Sequence, residues 1–152
     1  MALGTFIRVA AITPLATGSL WFSGVAPAAA QMPAISVDGV SEQGQIISVN
    51  VTYSGLTTDG GTISVDVDDP AANLAAHGDT TGQYVFADGS RSPSIPLIAD
   101  DQPHSISIQV PAGQHFAPPW IFQPGENVRV QAYLFPNPLF SGIPSGERWF
   151  TE

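Results

Sequence analysis

The chain has 152 residues, of which 43% are hydrophobic and 11% are charged, a composition typical of a globular protein rather than a disordered or fibrous one. At this length a single domain with a core of its own is expected. The 13 acidic residues outnumber four arginines, and neither lysine nor cysteine occurs. Nucleic-acid binding needs clustered basic residues and is excluded, as are disulfides and sites built on thiolates.

The first 30 residues have the features of an export signal. Arg8 is their only charged residue, and the segment from Val9 to Ala26 is uncharged and largely apolar. Ala28 and Ala30 supply the small-x-small pair that a signal peptidase requires. An uncleaved anchor is the alternative, but the segment is at the lower length limit for a membrane span and is rich in Gly, Ser and Thr. We therefore predict a signal peptide that is removed.

Cleavage is predicted between Ala30 and Gln31, so that the mature protein is a single domain of residues 31–152. Loss of Arg8 leaves three arginines against 13 acidic residues, a formal charge of −10. No second apolar span follows in the sequence, and no stable membrane span is expected after signal cleavage. The predicted location is secreted or in a bacterial cell envelope.

Alternation of apolar and polar residues predicts short strands along the mature chain. It is clearest at Ile46–Tyr53 and Thr62–Asp68, where β-branched residues share one face, with turn residues at Ser54–Gly61 between them. Pro96 places its strand at a sheet edge, and Trp149 is the residue of the last strand expected to face inward. The predicted strands are Ala34–Asp38, Ile46–Tyr53, Thr62–Asp68, Gln83–Ala87, Ser94–Ala99, His104–Val110, Asn127–Phe135 and Glu147–Phe150.

Two connections between these strands have their own signals. Val40–Gly44 is predicted as a turn. Residues 69–78 are the one helical candidate, because Asp69 fits the N-cap, Pro70 fits the first helical position and Gly78 fits the C-terminal stop. The expected element is one short connecting helix.

Seven to eight short antiparallel strands in about 120 residues predict an all-β protein, an antiparallel β-sandwich. The segment Pro124–Tyr133, a Pro-Gly turn followed by alternating Val, Arg and aromatic residues, resembles the penultimate strand of immunoglobulin-like and fibronectin type III-like domains. Ser105–Val110 resembles the strand before it. The resemblance implies an immunoglobulin-like sandwich that serves as a binding or spacer module. The absent cysteines exclude an antibody-type domain.

A group of aspartates is the best candidate for a metal site. Asp66 and Asp68 point the same way from one strand, Asp69 follows them, and Asp100 and Asp101 end another extended segment. Calcium takes six to eight oxygen ligands, and loops at one end of a sandwich can supply them. The alternative is a solvated strand face with a capping residue. No other cofactor is expected.

Aromatic residues form the second candidate site. Phe116, Trp120 and Phe122 lie in a long proline-rich loop, and Trp149 lies near the end of the chain. On an exposed loop such rings bind proteins as interface hot spots or stack on sugars. Buried, they would plug one end of the sandwich. Both interpretations remain open from the sequence.

The sequence contains no catalytic motif. It has no G-x-S-x-G, and its three histidines do not have metal-ligand spacing. His104 is near enough to Asp100 and Asp101 for a surface pair, but the favoured interpretation of the histidines is exposed loop residues. The leading hypothesis is therefore a non-catalytic binding module for an unknown protein or glycan ligand. A carbohydrate- or cell-wall-active protein with loop carboxylates and a structural surface protein are the alternatives.

Overall fold

The computed structural model describes residues 31–44, 46–58, 60–111, 125–137 and 141–151. The predicted signal peptide lies outside these residues. Within them the structure is all-β, with antiparallel strands and no helix, and so without any helix that is long and apolar enough to cross a membrane. The strands are β1 (Ala34–Gln43), β2 (Ile46–Ser54), β3 (Gly61–Asp69), β4 (Leu74–Asp79), β5 (His104–Pro111), β6 (Asn127–Pro136), β7 (Ile143–Pro144) and β8 (Arg148–Thr151).

The strands form two sheets. Sheet I has the order β1-β2-β5, and sheet II has the order β4-β3-β6-β7, with β8 paired to β6 as well. In sheet II, β7 pairs with the later part of β6 and β8 with its beginning. All pairings are antiparallel. The chain therefore moves from sheet I to sheet II after β2, returns for β5 and moves back for β6.

One core lies between the two sheets. Because side chains alternate along a strand, each predicted apolar face is buried as a unit. The predicted inward faces of β2, β3, β5 and β6 are confirmed. Their fully buried side chains are Ile47, Val49, Val51, Tyr53, Ile63, Val65, Val67, Ile108, Val110, Val130, Ala132 and Leu134.

The two sheets lie very close together where β4 passes β5. Gly78 lies at this contact, and a Cβ atom there would be 2.8 Å from the carbonyl oxygen of Gln109 and 2.9 Å from a methyl group of Val110. No side chain fits this space. Glycine is therefore required at this position because the backbone of β5 lies so close, even though glycine is otherwise unfavourable within a strand.

The predicted helix at residues 69–78 is wrong. The chain turns at Pro70–Asn73, where Asn73 has a φ of 55°, and continues as β4. β4 pairs with the edge of β3 and buries Ala76 and Gly78. A ladder of six residue pairs supplies hydrogen bonds to that edge, whereas an isolated two-turn helix is marginal in water.

Three further predictions of elements need correction. Val40–Gly44 is not a turn, because β1 continues through Gln43 after a bulge between Val37 and Gly39. Residues 83–87 and 94–99 contain no regular strand, and the segment is held by isolated bridges at Thr81–Ser94 and Val85–Arg91. Phe86 and Leu97 are nevertheless buried. The alternation of apolar and polar residues therefore predicted burial correctly, although these segments do not pair as regular strands.

Candidate functional site

The outer face of sheet II carries long polar and aromatic side chains in cross-strand rows. Residues directly opposite each other in neighbouring strands share a face. Asp68 of β3 is opposite Arg129 of β6, which is opposite Trp149 of β8. These three side chains therefore form one row across the sheet.

Arg129 is held in the middle of this row by two carboxylates. Its Nη2 and Nε donate to Asp68 Oδ2 at 2.7 Å and 3.2 Å, and its Nη1 donates to Glu147 Oε1 at 3.3 Å. The hydrogen bonds to Asp68 raise the pKa of Arg129, with smaller contributions from Glu147 and Tyr133. The guanidinium is a fixed element of the face because its donors point at both neighbours.

Trp149 faces solvent rather than the core, so the predicted inward position is wrong. Its side chain is 57% exposed. Phe150 instead packs against the core, because it lies opposite Val128, an inward residue of β6. A strand of four residues is too short for alternation to show which ring faces inward.

Beside Trp149 a groove of about 650 Å³ opens at the end of the sheet. It is lined by residues 69–72, residues 125–127 and Trp149. A second hollow of about 370 Å³ lies on the other side of the same turn, against Asp68 and Arg129. The exposed indole thus lines one of two hollows that share Asp69 and Pro70 of the β3–β4 turn, and together these form the cleft of sheet II.

Asp69, at the start of the β3–β4 turn, lines both hollows of this cleft. It is only 1% exposed, and its Oδ1 accepts hydrogen bonds from the backbone N–H groups of Ala71 at 2.8 Å and Ala72 at 3.1 Å. Its carboxyl group also hydrogen-bonds to that of Glu126, which lowers the pKa of Asp69 more than the backbone donors do, while burial opposes both effects. Asp69 was predicted to cap a helix. It does accept hydrogen bonds from the backbone N–H groups that follow it, but these groups belong to a turn.

The contact between Asp69 and Glu126 constrains what this carboxyl pair can do. Two carboxyl groups in hydrogen-bond contact hold a proton between them. The Asp69–Glu126 pair therefore joins the turn to the start of β6 and does not present two free carboxylates.

Titratable and aromatic residues continue along the outer face of sheet II. His77 Nδ1 lies 2.6 Å from Asp66 Oδ1, and the ring of Tyr84 meets His77 edge-on. The hydrogen bond to Asp66 raises the pKa of His77 against the opposing effect of burial. On β6, Tyr133 contacts the ring of Phe135 at a centroid distance of 6.5 Å.

The five aspartates predicted as calcium ligands do not come together. Asp66 is paired with His77, Asp68 with Arg129, and Asp69 with the turn. Asp100 and Asp101 lie at the opposite end of the molecule, where the N–H of Asp101 donates to Leu56 in the β2–β3 connection and Asp100 accepts from His104. The surface pair that the sequence allowed for His104 forms with Asp100, with Oδ1 2.6 Å from Nε2. Among the described residues no group of three or more His, Cys, Asp or Glu side chains is arranged to hold a metal ion.

Of the predicted aromatic site, Trp149 alone falls within the described part of the chain. Phe116, Trp120 and Phe122 lie outside it. Arg129 and Tyr133 were predicted to face away from the core, but the sequence did not single them out for function. The signal that could have found them is their shared outward face with Gln131 on a confirmed strand.

Comparisons of this chain with protein families, with curated proteins and with solved structures found no significant match. The outer face of sheet II and its cleft are therefore interpreted from their own chemistry.

Proposed function

We propose that this protein is an exported, non-catalytic module that binds glycans on the outer face of sheet II. The observation that carries the proposal is Trp149, whose ring is 57% exposed in a row with Arg129 and Asp68 and beside a groove of about 650 Å³. An indole gains free energy when a flat apolar surface covers it, and a sugar ring offers such a surface.

The polar groups around Trp149 support a sugar rather than an apolar ligand. Asp68 and Glu147 present carboxylate oxygens, which accept hydrogen bonds from hydroxyl groups. Gln131 and Asn127 add amide groups that donate and accept. Sugars have hydroxyl groups at the rim of the ring and C–H groups on its faces, which fits one exposed aromatic residue surrounded by such partners.

The distribution of apolar surface supports a glycan over a protein partner. Among the described residues the exposed large hydrophobic side chains are Met32, Val85, Ile98 and Trp149. Of these, only Trp149 lines the groove beside β8. A stable protein interface buries about 800 Å² per partner with an apolar centre, and one indole does not provide that.

The immunoglobulin-like fold forms part of this proposal. Immunoglobulin domains hold strands A, B, E and D in one sheet and C, F and G in the other. The orders β1-β2-β5 and β4-β3-β6-β7 fit that partition if β3 is strand C and β4 is an added strand beside it, with no regular counterpart of strand D in the described residues. β6 and β5 then occupy the penultimate position and the one before it, as their sequence resemblance implies.

Affinity gel electrophoresis of the purified protein against soluble polysaccharides tests the proposal. We expect retardation by at least one polysaccharide and a loss of affinity of about tenfold in Trp149→Ala, because an aromatic stacking contact of this size is removed. Ile98→Ala is the matched control, since Ile98 is 54% exposed and Trp149 57%. Its binding is expected to equal that of the unsubstituted protein.

Two outcomes would overturn the proposal. The first is that no polysaccharide retards the folded protein, with folding verified by circular dichroism. The second is that Trp149→Ala binds as strongly as Ile98→Ala, since the ring would then make no contact with the ligand.

A further inference from the structure

We infer that the outer face of sheet II selects uncharged glycans and rejects glycans that carry carboxylate, sulfate or phosphate groups. This inference rests on the proposed function and concerns the ligand class of the same site. It depends on how the charges beside Trp149 are already paired.

The cations of this face are engaged by the protein itself. Arg129, directly opposite Trp149, donates to Asp68 on one side and to Glu147 on the other. His77 lies 2.6 Å from Asp66. Arg148 lies opposite Val130, an inward residue, and is therefore on the other side of β8 from Trp149. In the described residues around Trp149, no guanidinium on the outer face points at a ligand without a carboxylate partner.

The local charge also opposes an anion. One guanidinium is set between two carboxylates, and the nearby groove adds the Asp69–Glu126 carboxyl pair, while none of its described lining residues is a cation. An anionic group brought beside Trp149 would lose water and meet carboxylates without gaining a cationic partner, which is unfavourable. A neutral hydroxyl, in contrast, donates to the same carboxylates in a charge-assisted hydrogen bond.

Pairs of neutral and anionic polysaccharides test the inference. Hydroxyethyl cellulose and carboxymethyl cellulose form one pair, and glycol chitin and hyaluronate provide a neutral and an anionic glycan that contain N-acetylglucosamine. In affinity gels at low ionic strength, where charge effects are least screened, we expect retardation by neutral polymers and none by their anionic counterparts.

The variant Glu147→Gln removes one of the two carboxylate partners of Arg129 while keeping the shape of the side chain at position 147. We expect it to gain affinity for anionic polymers by about twofold to fivefold, the range of a single exposed charge interaction. Neutral polymers should bind no more tightly than before, because an amide replaces a carboxylate that accepts from their hydroxyl groups. Asp88→Asn is the matched control, because it makes the same change in net charge in an exposed turn beside Gln43 and Ile46 of sheet I. It is expected to leave binding unchanged.

The outcomes separate the two proposals. Trp149-dependent retardation by an anionic polymer that equals or exceeds its neutral counterpart overturns the inference and leaves glycan binding standing. An equal gain in Glu147→Gln and Asp88→Asn also overturns it, because net charge alone would then govern selection. Failure of every polymer to retard the protein overturns the proposed function and this inference with it.

Discussion

The two sheets have similar inner faces and different outer faces. Both bury β-branched side chains in one core. The outer face of sheet I carries short hydroxyl and amide side chains, such as the row of Ser36, Thr52 and Ser105. The outer face of sheet II carries Arg129 and Trp149 in a row with an aspartate.

The difference lies in what each face leaves for a partner. On sheet I, Thr52 Oγ1 donates to Asp38 at 2.6 Å and lies 2.7 Å from Ser105 Oγ. These short groups satisfy each other close to the backbone and expose little apolar surface. On sheet II the longer side chains extend into solvent and combine a ring with polar groups. Burial in the core is thus common to both sheets, whereas recognition chemistry is concentrated on one.

The largest expected effect comes from separating the sheets. Gly78→Ala would place a Cβ atom 2.8 Å from a backbone oxygen of β5, and backbone cannot move aside as a flexible side chain does. We expect a loss of about 2 to 3 kcal/mol in the free energy of unfolding. Urea denaturation measures it.

Gly39→Ala is the control for that substitution. A Cβ atom at Gly39 of β1 would approach nothing closer than 4.0 Å. The free energy of unfolding should change by about 0.5 kcal/mol or less, as for most surface substitutions. Equal effects of the two substitutions would contradict the close contact between β4 and β5.

The next largest effect on stability is expected in the β3–β4 turn, which lines the cleft of sheet II. Asp69→Ala leaves the N–H groups of Ala71 and Ala72 without their acceptor and removes a partner of Glu126. We expect a loss of about 1 to 2 kcal/mol in urea denaturation at pH 7. Because the pKa of Asp69 is lowered in the folded state, its stabilisation is present above its unfolded pKa and is lost as the pH falls through the folded pKa.

Asp88→Ala provides the comparison for Asp69. Asp88 also accepts from a backbone N–H two residues later, that of Ser90, but on an exposed turn where water replaces the lost acceptor. The destabilisation should be clearly smaller than for Asp69→Ala. A similar loss in both variants would show that the burial of Asp69 has no energetic consequence.

A substitution on sheet I sharpens the comparison of the outer faces. Thr52→Val removes the hydroxyl that joins Asp38 and Ser105 and keeps the side-chain shape. We expect a change of about 1 kcal/mol or less in the free energy of unfolding, because the groups are near solvent. Polysaccharide binding should remain unchanged, as measured in the same affinity gels. Weakened binding in Thr52→Val would place recognition on sheet I instead.

The pH response of sheet II depends on His77. Its pKa is raised mainly by the hydrogen bond to Asp66, so Asp66→Asn should lower it, as followed by NMR titration of the imidazole. The stabilisation from this pair is fully present below the ordinary histidine pKa of about 6.5 and is lost as the pH rises through the folded pKa. Asp79→Asn should lower the pKa less, because Asp79 acts only through its more distant charge. Equal titration in all three proteins would contradict the pairing.

The smallest expected effect is that of calcium. The predicted ligands Asp68 and Asp69 already have partners, and Asp100 and Asp101 lie at the other end of the molecule. We expect the melting temperature to differ by about 1 °C or less between added calcium and EDTA, since a ligand that binds the folded state would raise it. A clear rise with calcium would instead support the metal site predicted from the sequence.

The sequence by itself determined the strands whose inward face is a run of β-branched residues. β2, β3, β5 and β6 follow their predicted positions closely because alternation is a local property that burial on one side imposes. The shared face of Asp66 and Asp68 follows from the same period, and the pair of Asp100 with His104 follows from closeness in the chain.

Only the tertiary structure decided which distant residues meet. Residues 69–78 have the signals of a helix, but the open edge of β3 supplies a ladder of hydrogen bonds that a short helix could not match. Trp149 faces outward because the register of β8 on β6 assigns the inward position to Phe150. Arg129 meets Asp68 across 61 residues of sequence, and no local pattern encodes such a contact. The candidate site is assembled from contacts of this kind, because strand pairing joins segments that alternation alone leaves independent.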